Sequence, residues 1–206
     1  MTATHLLASV DPKLTWYVAR ASGIVDWLVM AASIIWGLAL STRLLRRPGL
    51  PAWLLSLHRH LGALALVFLA VHVVALLADD FVSFGPADVL VPFASRWEPG
   101  SVAWGIVAMY LVIAIQITSW LKSRLPRALW RRVHHASAVV FVTATVHGLA
   151  AGTDGPNPLL QWGALGISSL VIVLTIVRLV GGSRIRRISP PSTRSVSRRD
   201  PRGTAA

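Results

Sequence analysis

Residues 57–77 read LHRHLGALALVFLAVHVVALL, a stretch apolar enough for a lipid bilayer that nevertheless contains His58, His60 and His72. An imidazole in hydrocarbon costs free energy unless it has a partner, so ionisable side chains at membrane depth are first considered as functional residues. The rest of the sequence indicates what these histidines bind.

The composition places the chain in a membrane. Of its 206 residues, 54% are hydrophobic and 14% are charged, whereas an average soluble domain is about a quarter charged. Several runs approach or exceed the roughly 20 apolar residues that cross a bilayer. They lie near 17–40, 58–78, 102–121, 133–151 and 159–180. We therefore predict an all-α membrane protein, a bundle of about five transmembrane helices.

The same runs divide the chain into three parts. We expect a short extracytoplasmic N-terminus over residues 1–16, a membrane domain over 17–181 and a basic cytoplasmic tail over 182–206. The first residues lack the basic and apolar regions of a cleaved signal peptide. The tail is rich in Ser, Pro and Arg, which is typical of a disordered segment.

The net charge of +12 is distributed unevenly among the loops. Loops 41–57 and 122–132 and the tail are basic, whereas loop 79–101 is acidic and loop 152–158 has no basic residue. Basic residues favour the cytoplasmic side of a membrane, which predicts a cytoplasmic-membrane protein with its N-terminus outside and its C-terminus inside. We expect the basic residues to contact membrane lipid and do not expect nucleic-acid binding.

Histidines occur near both ends of the second and fourth apolar segments, which cross the membrane in the same direction in this topology. His58 and His72 are 14 residues apart, and His134 and His147 are 13 residues apart. At 1.5 Å per residue, both separations are about 20 Å. The sequence therefore predicts two facing pairs, one near each membrane face. Facing imidazoles from opposite helices of a bundle are a way to hold b-type haem through both axial positions of the iron.

The absence of cysteine excludes disulfides, cysteine-ligated iron–sulfur clusters and covalent haem attachment of the c type. The angular positions of the histidines leave one ligand open. At about 100° per residue, His58 and His72 fall within about 40° of one helix face. His134 and His147 are about 140° apart, and His135 in place of His134 gives about 120°. Spacing alone does not choose between His134 and His135.

This mismatch predicts that the fourth helix is over- or underwound around residues 143–145, unless tilt and rotamers compensate for it. We expect His60 to be a packing or interfacial residue. Arg20 and Asp26 are unusual at membrane depth and are expected to pair with each other or with haem propionates. Extension of Arg20 to the outer interface is the alternative.

Three stretches resemble the ferric reductase-like transmembrane domain family, which includes the membrane core of NADPH oxidases and ferric reductases and the haem subunit of a bacterial methionine sulfoxide reductase. They are ARASG at 19–23, LHRHLGALALVFLAVHVV at 57–74 and TSWLKSRLPRALWRRVHHASAVVFVTATVHG at 118–148. Together they indicate a resemblance over roughly residues 16–180.

The resemblance implies two b haems with axial ligands at four positions that match the family's spacings of fourteen and thirteen. These are His58, His72, His134 and His147. The family also has a tryptophan four residues before the inner ligand of the second pair. Trp130 stands at that position relative to His134, which favours His134 over His135.

The resemblance further implies a cytochrome b-like subunit that carries electrons across the membrane. No glycine-rich phosphate loop follows the last apolar segment, so FAD or FMN is expected only on a separate donor protein, with a membrane quinol as the other donor. We expect an extracytoplasmic acceptor or reductase subunit. The alternatives are an intramembrane metal-ion binding or transport protein and a haem-free membrane assembly factor.

Loop 79–101 is long and contains both apolar and acidic residues. Loops beyond about 12–15 residues are usually functional or disordered, and this one is too apolar for disorder. We predict that it folds back over the outer haem, with a short amphipathic segment at 89–93.

Overall fold

The computed structural model describes residues 13–42, 50–80 and 82–188. Over these residues the regular structure is helical. The helices are α1 (Leu14–Thr42), α2 (Leu50–Leu77), α3 (Pro86–Leu90), α4 (Pro99–Trp120), α5 (Arg127–His135), α6 (Ser137–Ala150) and α7 (Pro158–Ile188). Most of the predicted N-terminus and tail lie outside the described residues, so the two outer domain boundaries stay predictions.

Five helical spans in the described part of the chain are long and apolar enough to cross a membrane. They are Leu14–Thr42, Ala52–Leu77, Pro99–Trp120, Arg127–Ala150 and Pro158–Val180. Only 11% to 28% of the residues in each apolar window are buried within the protein, so most of each surface is free to face lipid. The predicted all-α membrane protein with about five transmembrane helices is confirmed.

Helix α1 occupies the centre of the bundle. It packs along α2 and also contacts α6 and α7, while α4 packs along α6. Buried alanines such as Ala19, Ala31 and Ala65 allow the helix axes to approach closely, as is usual between membrane helices. Larger side chains fill the remaining space, as Phe141 does between Ala31 and Val171.

The fourth span is interrupted at Ala136, between α5 and α6. The Ala136 N–H donates to the carbonyl of Val133 at 3.0 Å, and the regular α-helical pattern resumes where Val140 N–H donates to the Ala136 carbonyl at 2.9 Å. The first bond closes a tighter, three-residue turn. The irregularity that the histidine spacing requires is therefore at Ala136, and the predicted position at 143–145 is regular helix.

The loop between α2 and α4 is held against the helix ends that surround it. Asp79 is buried and accepts hydrogen bonds from Thr15 Oγ1 at 3.0 Å and from Val82 N–H at 2.9 Å. Tyr110 of α4 donates to the Leu90 carbonyl at 2.7 Å. The short helix α3 covers 86–90 instead of the predicted 89–93, because Pro86 suits a first helical position.

Candidate functional site

The four predicted ligands meet as two pairs. His58 of α2 faces His134 of α5 with ring centres 5.9 Å apart and ring planes at 82°. His72 of α2 faces His147 of α6 at 6.3 Å and 81°. Following the predicted topology, we call His58/His134 the inner pair and His72/His147 the outer pair. Two imidazoles bound to opposite sides of one metal ion, with bonds of about 2 Å each, have their ring centres about 6 Å apart.

Three of the four rings are fixed by a backbone carbonyl on a neighbouring helix. The bonds join His58 to Ser33 (2.9 Å), His72 to Ala19 (2.7 Å) and His147 to Ser101 (2.9 Å). In each case Nδ1 is the ring atom involved, and because a carbonyl only accepts, Nδ1 carries the proton. The lone pair is therefore on Nε2, as in histidines whose second nitrogen orients them for metal binding.

Each of these carbonyls stands four residues before a glycine, and the imidazole lies against that glycine. A methyl carbon added at the glycine would approach the ring to 3.3 Å for Gly37 and His58, 2.9 Å for Gly23 and His72, and 2.7 Å for Gly105 and His147. Residues four apart lie on one helix face, so the carbonyl and the bare glycine together form a single seat for the ring. We call each carbonyl with its glycine a ring seat.

The sequence interpretation assigned no role to these glycines. The spacing of the glycines in the first apolar segment could have identified two of them. Gly23 and Gly37 are 14 residues apart, as are His58 and His72 on the antiparallel neighbour. Matched spacings on two adjacent helices place each glycine opposite one histidine.

His134 is held differently. Its ring stacks on Trp130, one turn earlier in α5, with centres 5.1 Å apart and planes at 21°. Lys122 Nζ lies 4.5 Å from the centre of the Trp130 ring. His134 Nδ1 is buried and has no hydrogen-bond partner among the described residues. This ring therefore has an aromatic platform in place of a ring seat.

A large apolar cavity surrounds the outer pair. Its empty volume, open mouth included, is about 1450 Å³, and its walls contain both histidines and the glycines of both ring seats. Three side chains of the 79–101 loop, Phe84, Val89 and Trp97, also line it. The loop therefore forms part of the wall of this cavity, and its folding over an outer haem stays a prediction.

Arg20 and Asp26 do not pair with each other. Arg20 pairs with Asp154, with Nε donating to Oδ2 at 2.9 Å and a second bond from Nη2 to Oδ1. Both partners line the cavity of the outer pair. Asp26 lines it too, but it is only 5% exposed.

Residues 17–145 match the family model described as the ferric reductase-like transmembrane component. The chain belongs to this family. The matched range contains His58, His72 and His134 and ends two residues before His147, which the structure places opposite His72. No curated protein and no solved structure matches the chain significantly.

Membership of the ferric reductase-like family indicates a membrane redox component, and domains of this family generally bind haem. The residues fit that group. Each pair presents two imidazoles at a separation compatible with one axially ligated iron, and the ring seats leave Nε2 of three rings free to ligate. The apolar cavity around the outer pair suits a flat macrocycle, since cofactor sites are concave and mostly apolar.

The described residues contain no group of three or more His, Asp or Glu side chains that could hold a bare metal ion. Each pair therefore offers two protein ligands and leaves the remaining positions of a metal to a ligand such as a macrocycle. His60 lies apart from both pairs, and its Nδ1–H donates to the Ser56 carbonyl of its own helix at 2.7 Å. His135 is exposed beside His134 and is a member of neither pair.

Proposed function

We propose that this ferric reductase-like protein is a cytochrome b-like subunit that carries electrons across the cytoplasmic membrane through two b haems. His58 and His134 would be the axial ligands of one, and His72 and His147 those of the other. One observation supports this proposal most strongly. The imidazoles face each other in two pairs, with ring centres 5.9 and 6.3 Å apart, on helices of the bundle.

When bound, each haem would supply a one-electron iron couple, held by the two histidines of its pair. The chain supplies the environment. Ring seats hold the tautomer and direction of three imidazoles, which raises their basicity toward a metal. Apolar walls and the 79–101 loop limit water around the outer pair, and a lower dielectric strengthens the effect of every nearby charge on the reduction potential.

The two pairs are separated by about 20 Å along the helices, and an aromatic contact lies between their levels. Trp27 stacks on Phe141 with ring centres 6.3 Å apart and planes at 20°. Its indole N–H donates to Thr145 Oγ1 at 2.9 Å, which fixes the ring. Trp27 stands in α1 between Gly23 and Gly37, the glycines of the two ring seats that this helix provides. The Trp27–Phe141 contact fills the space between the levels of the two histidine pairs with packed atoms. An empty gap there would slow electron tunnelling between the two haems.

The direction of transfer follows from the charges of the loops. The basic loops at 41–57 and 122–132 favour a topology with the inner pair near the cytoplasm and the outer pair near the opposite face. The donor is then a flavoprotein carrying FAD or FMN, or a membrane quinol, and the acceptor is an extracytoplasmic molecule or reductase subunit. In this proposal residues 17–181 are the membrane domain, and 182–206 are a cytoplasmic tail whose basic residues would attract anionic lipid.

A spectrum of the purified full chain tests the haem assignment. A reduced-minus-oxidised difference spectrum of b type, with one haem for each histidine pair, is the expected result. A colourless protein that binds divalent metal ions would favour the metal-transport alternative. A colourless protein without metal would favour the assembly-factor alternative.

Reporter fusions test the orientation separately. A fusion at Pro86 should report an extracytoplasmic position, and a fusion at Arg194 a cytoplasmic one. The opposite pattern would reverse the proposed direction of electron transfer while leaving the haem assignment in place.

A further inference from the structure

Asp26 is a carboxyl group at membrane depth that the proposed function does not use. It lies on α1, three residues from the glycine of the His72 ring seat and on the side toward the inner pair. The side chain is 5% exposed, and its Oδ1 has no hydrogen-bond partner within the described structure. A buried polar atom without a partner destabilises the fold, and intramembrane carboxyls are seldom retained without a role.

The titratable side chains around Asp26 indicate which role it can have. Asp26 lines the cavity of the outer pair, where the other titratable side chains are Arg20, Asp154, His72 and His147. Arg20 and Asp154 neutralise each other in an ion pair. His72 and His147 hold their Nδ1 protons against carbonyls, and their ring centres are 6.3 Å apart. Within this described lining, Asp26 is the remaining group that is free to gain or lose a proton.

We propose that Asp26 is a redox-linked proton site for the outer haem. One electron from the donor reaches the outer site, and one proton from extracytoplasmic water forms an O–H bond on the Asp26 carboxylate. Both leave again when the electron passes to the acceptor. The proposal rests on the proposed function, because it requires a haem between His72 and His147.

The physical reason for this coupling is the electrostatic interaction between the haem core and the Asp26 carboxyl group. A ferric haem core has one positive charge more than a ferrous one, so a nearby carboxylate is favoured beside the oxidised form and a neutral acid beside the reduced form. The cavity is apolar, and interactions between charges are strong at low dielectric. Coupling of this kind is reciprocal: if reduction favours protonation, protonation makes reduction more favourable by the same free energy.

The cavity wall also gives the proton a route. Arg20 and Asp154 are partly exposed, at 30% and 27% of their side-chain surface, and mark the wetter end of the cavity. Arg20 is six residues before Asp26 on α1, a rise of about 9 Å. Water that enters at the ion pair therefore needs to cross about two helical turns to reach the carboxyl group.

The test is a redox titration of the purified, haem-loaded full chain at a series of pH values. In the wild type, the potential of one of the two haems should fall with rising pH, with a slope approaching about 59 mV per pH unit, the value for one proton per electron. Asp26→Asn should abolish the slope. The reduction potential of this haem in Asp26→Asn should equal the wild-type value at low pH, where Asp26 of the wild type is neutral. It should exceed the wild-type value at high pH, where Asp26 of the wild type is a carboxylate.

Two further variants sharpen the result. Asp26→Glu keeps a carboxyl group and should keep the slope. Asp80→Asn removes the same charge from an exposed position and should also keep it. An unchanged slope in Asp26→Asn, or potentials independent of pH in the wild type, would overturn the proton site while leaving the haem assignment intact. A chain without haem would overturn the proposed function and this inference together.

A measurement on the wild type covers the case in which Asp26→Asn does not fold. The reduced-minus-oxidised infrared spectrum should show a gain in the carbonyl band of a protonated carboxyl group. That band should shift when the chain is labelled with ¹³C-aspartate. Absence of an aspartate band would contradict the proposal.

Discussion

The inner and outer pairs have similar ring separations but are held in different ways. Both rings of the outer pair rest in ring seats and face a cavity that the 79–101 loop helps to line. In the inner pair, His58 has a ring seat, where its Nδ1 also lies 3.1 Å from Ser33 Oγ. Its partner His134 rests on Trp130.

The difference follows from where each histidine lies along its helix. His72 lies beside α1 and His147 lies beside α4, and each of these neighbouring helices provides a carbonyl and a glycine for the ring. His134 is near the end of the nine-residue helix α5, just before the break at Ala136, and uses a side chain from its own preceding turn. A ring seat is helix backbone, whereas a stacked indole is a side chain that can change its rotamer. We therefore expect the outer pair to be the less tolerant of substitution.

Removal of a ligand should have the largest effect. His72→Ala or His147→Ala should abolish the outer haem and leave the inner one, and His58→Ala or His134→Ala should do the reverse, since one imidazole does not complete a bis-histidine site. Haem content per chain and the low-spin electron paramagnetic resonance signals measure this.

The control variants are His60→Ala and His135→Ala, which should leave both haems nearly unchanged. Loss of a haem in His135→Ala but not in His134→Ala would contradict the ligand assignment in α5.

Substitution of the ring-seat glycines should have a graded effect. Gly105→Ala places a methyl group 2.7 Å from the His147 ring, Gly23→Ala places one 2.9 Å from His72, and Gly37→Ala places one 3.3 Å from His58. The first two distances require the ring to move, and the third requires a small adjustment. We expect the signal of the corresponding haem to shift or disappear in that order.

Gly166→Ala is the matched control, because nothing lies within 4 Å of the added carbon and alanine favours a helix over glycine by about 1 kcal/mol. If Gly105→Ala left the outer haem signal as it is in Gly166→Ala, the ring seat would not position His147.

The fold and the candidate site could be predicted from the sequence only in part. Apolar length predicted the five spans. Histidine spacing predicted two facing pairs, but the choice of His134 over His135 came from the family resemblance. The break at Ala136 was predicted in kind but misplaced, because its position depends on local hydrogen bonds that the 100° periodicity does not contain. The pairing of Arg20 with Asp154 was missed because it joins residues 134 positions apart, and only the packing of α1 near the end of α6 brings them together.

Replacement of the loop segment 84–93 by a Gly/Ser linker should change rates more than haem content. Both pairs keep their own helices and ring seats, so both haems should remain. Phe84 and Val89 would no longer line the outer cavity, which should admit water and remove part of the surface that meets the acceptor. Stopped-flow oxidation of the reduced protein by its acceptor, or by a soluble ferric chelate as a probe, should be slower. Unchanged rates with both haems present would reduce the loop to a connection.

Substitution of Trp130 should have the smallest effect, and it distinguishes the two kinds of support most directly. An aromatic stack contributes about 1 kcal/mol beyond area burial, which corresponds to a factor of about five in an equilibrium constant. Trp130→Leu should therefore weaken retention of the inner haem by about that factor, while Trp130→Phe, which keeps a stacking ring, should retain most of it.

Trp120→Leu, at a position 65% exposed, controls for loss of a tryptophan. Haem release to an excess of apomyoglobin measures the retention of each haem. A loss from the outer pair in Trp130→Leu would contradict the independence of the two sites, and complete loss of the inner haem would mean that the indole supports His134 as firmly as a ring seat does.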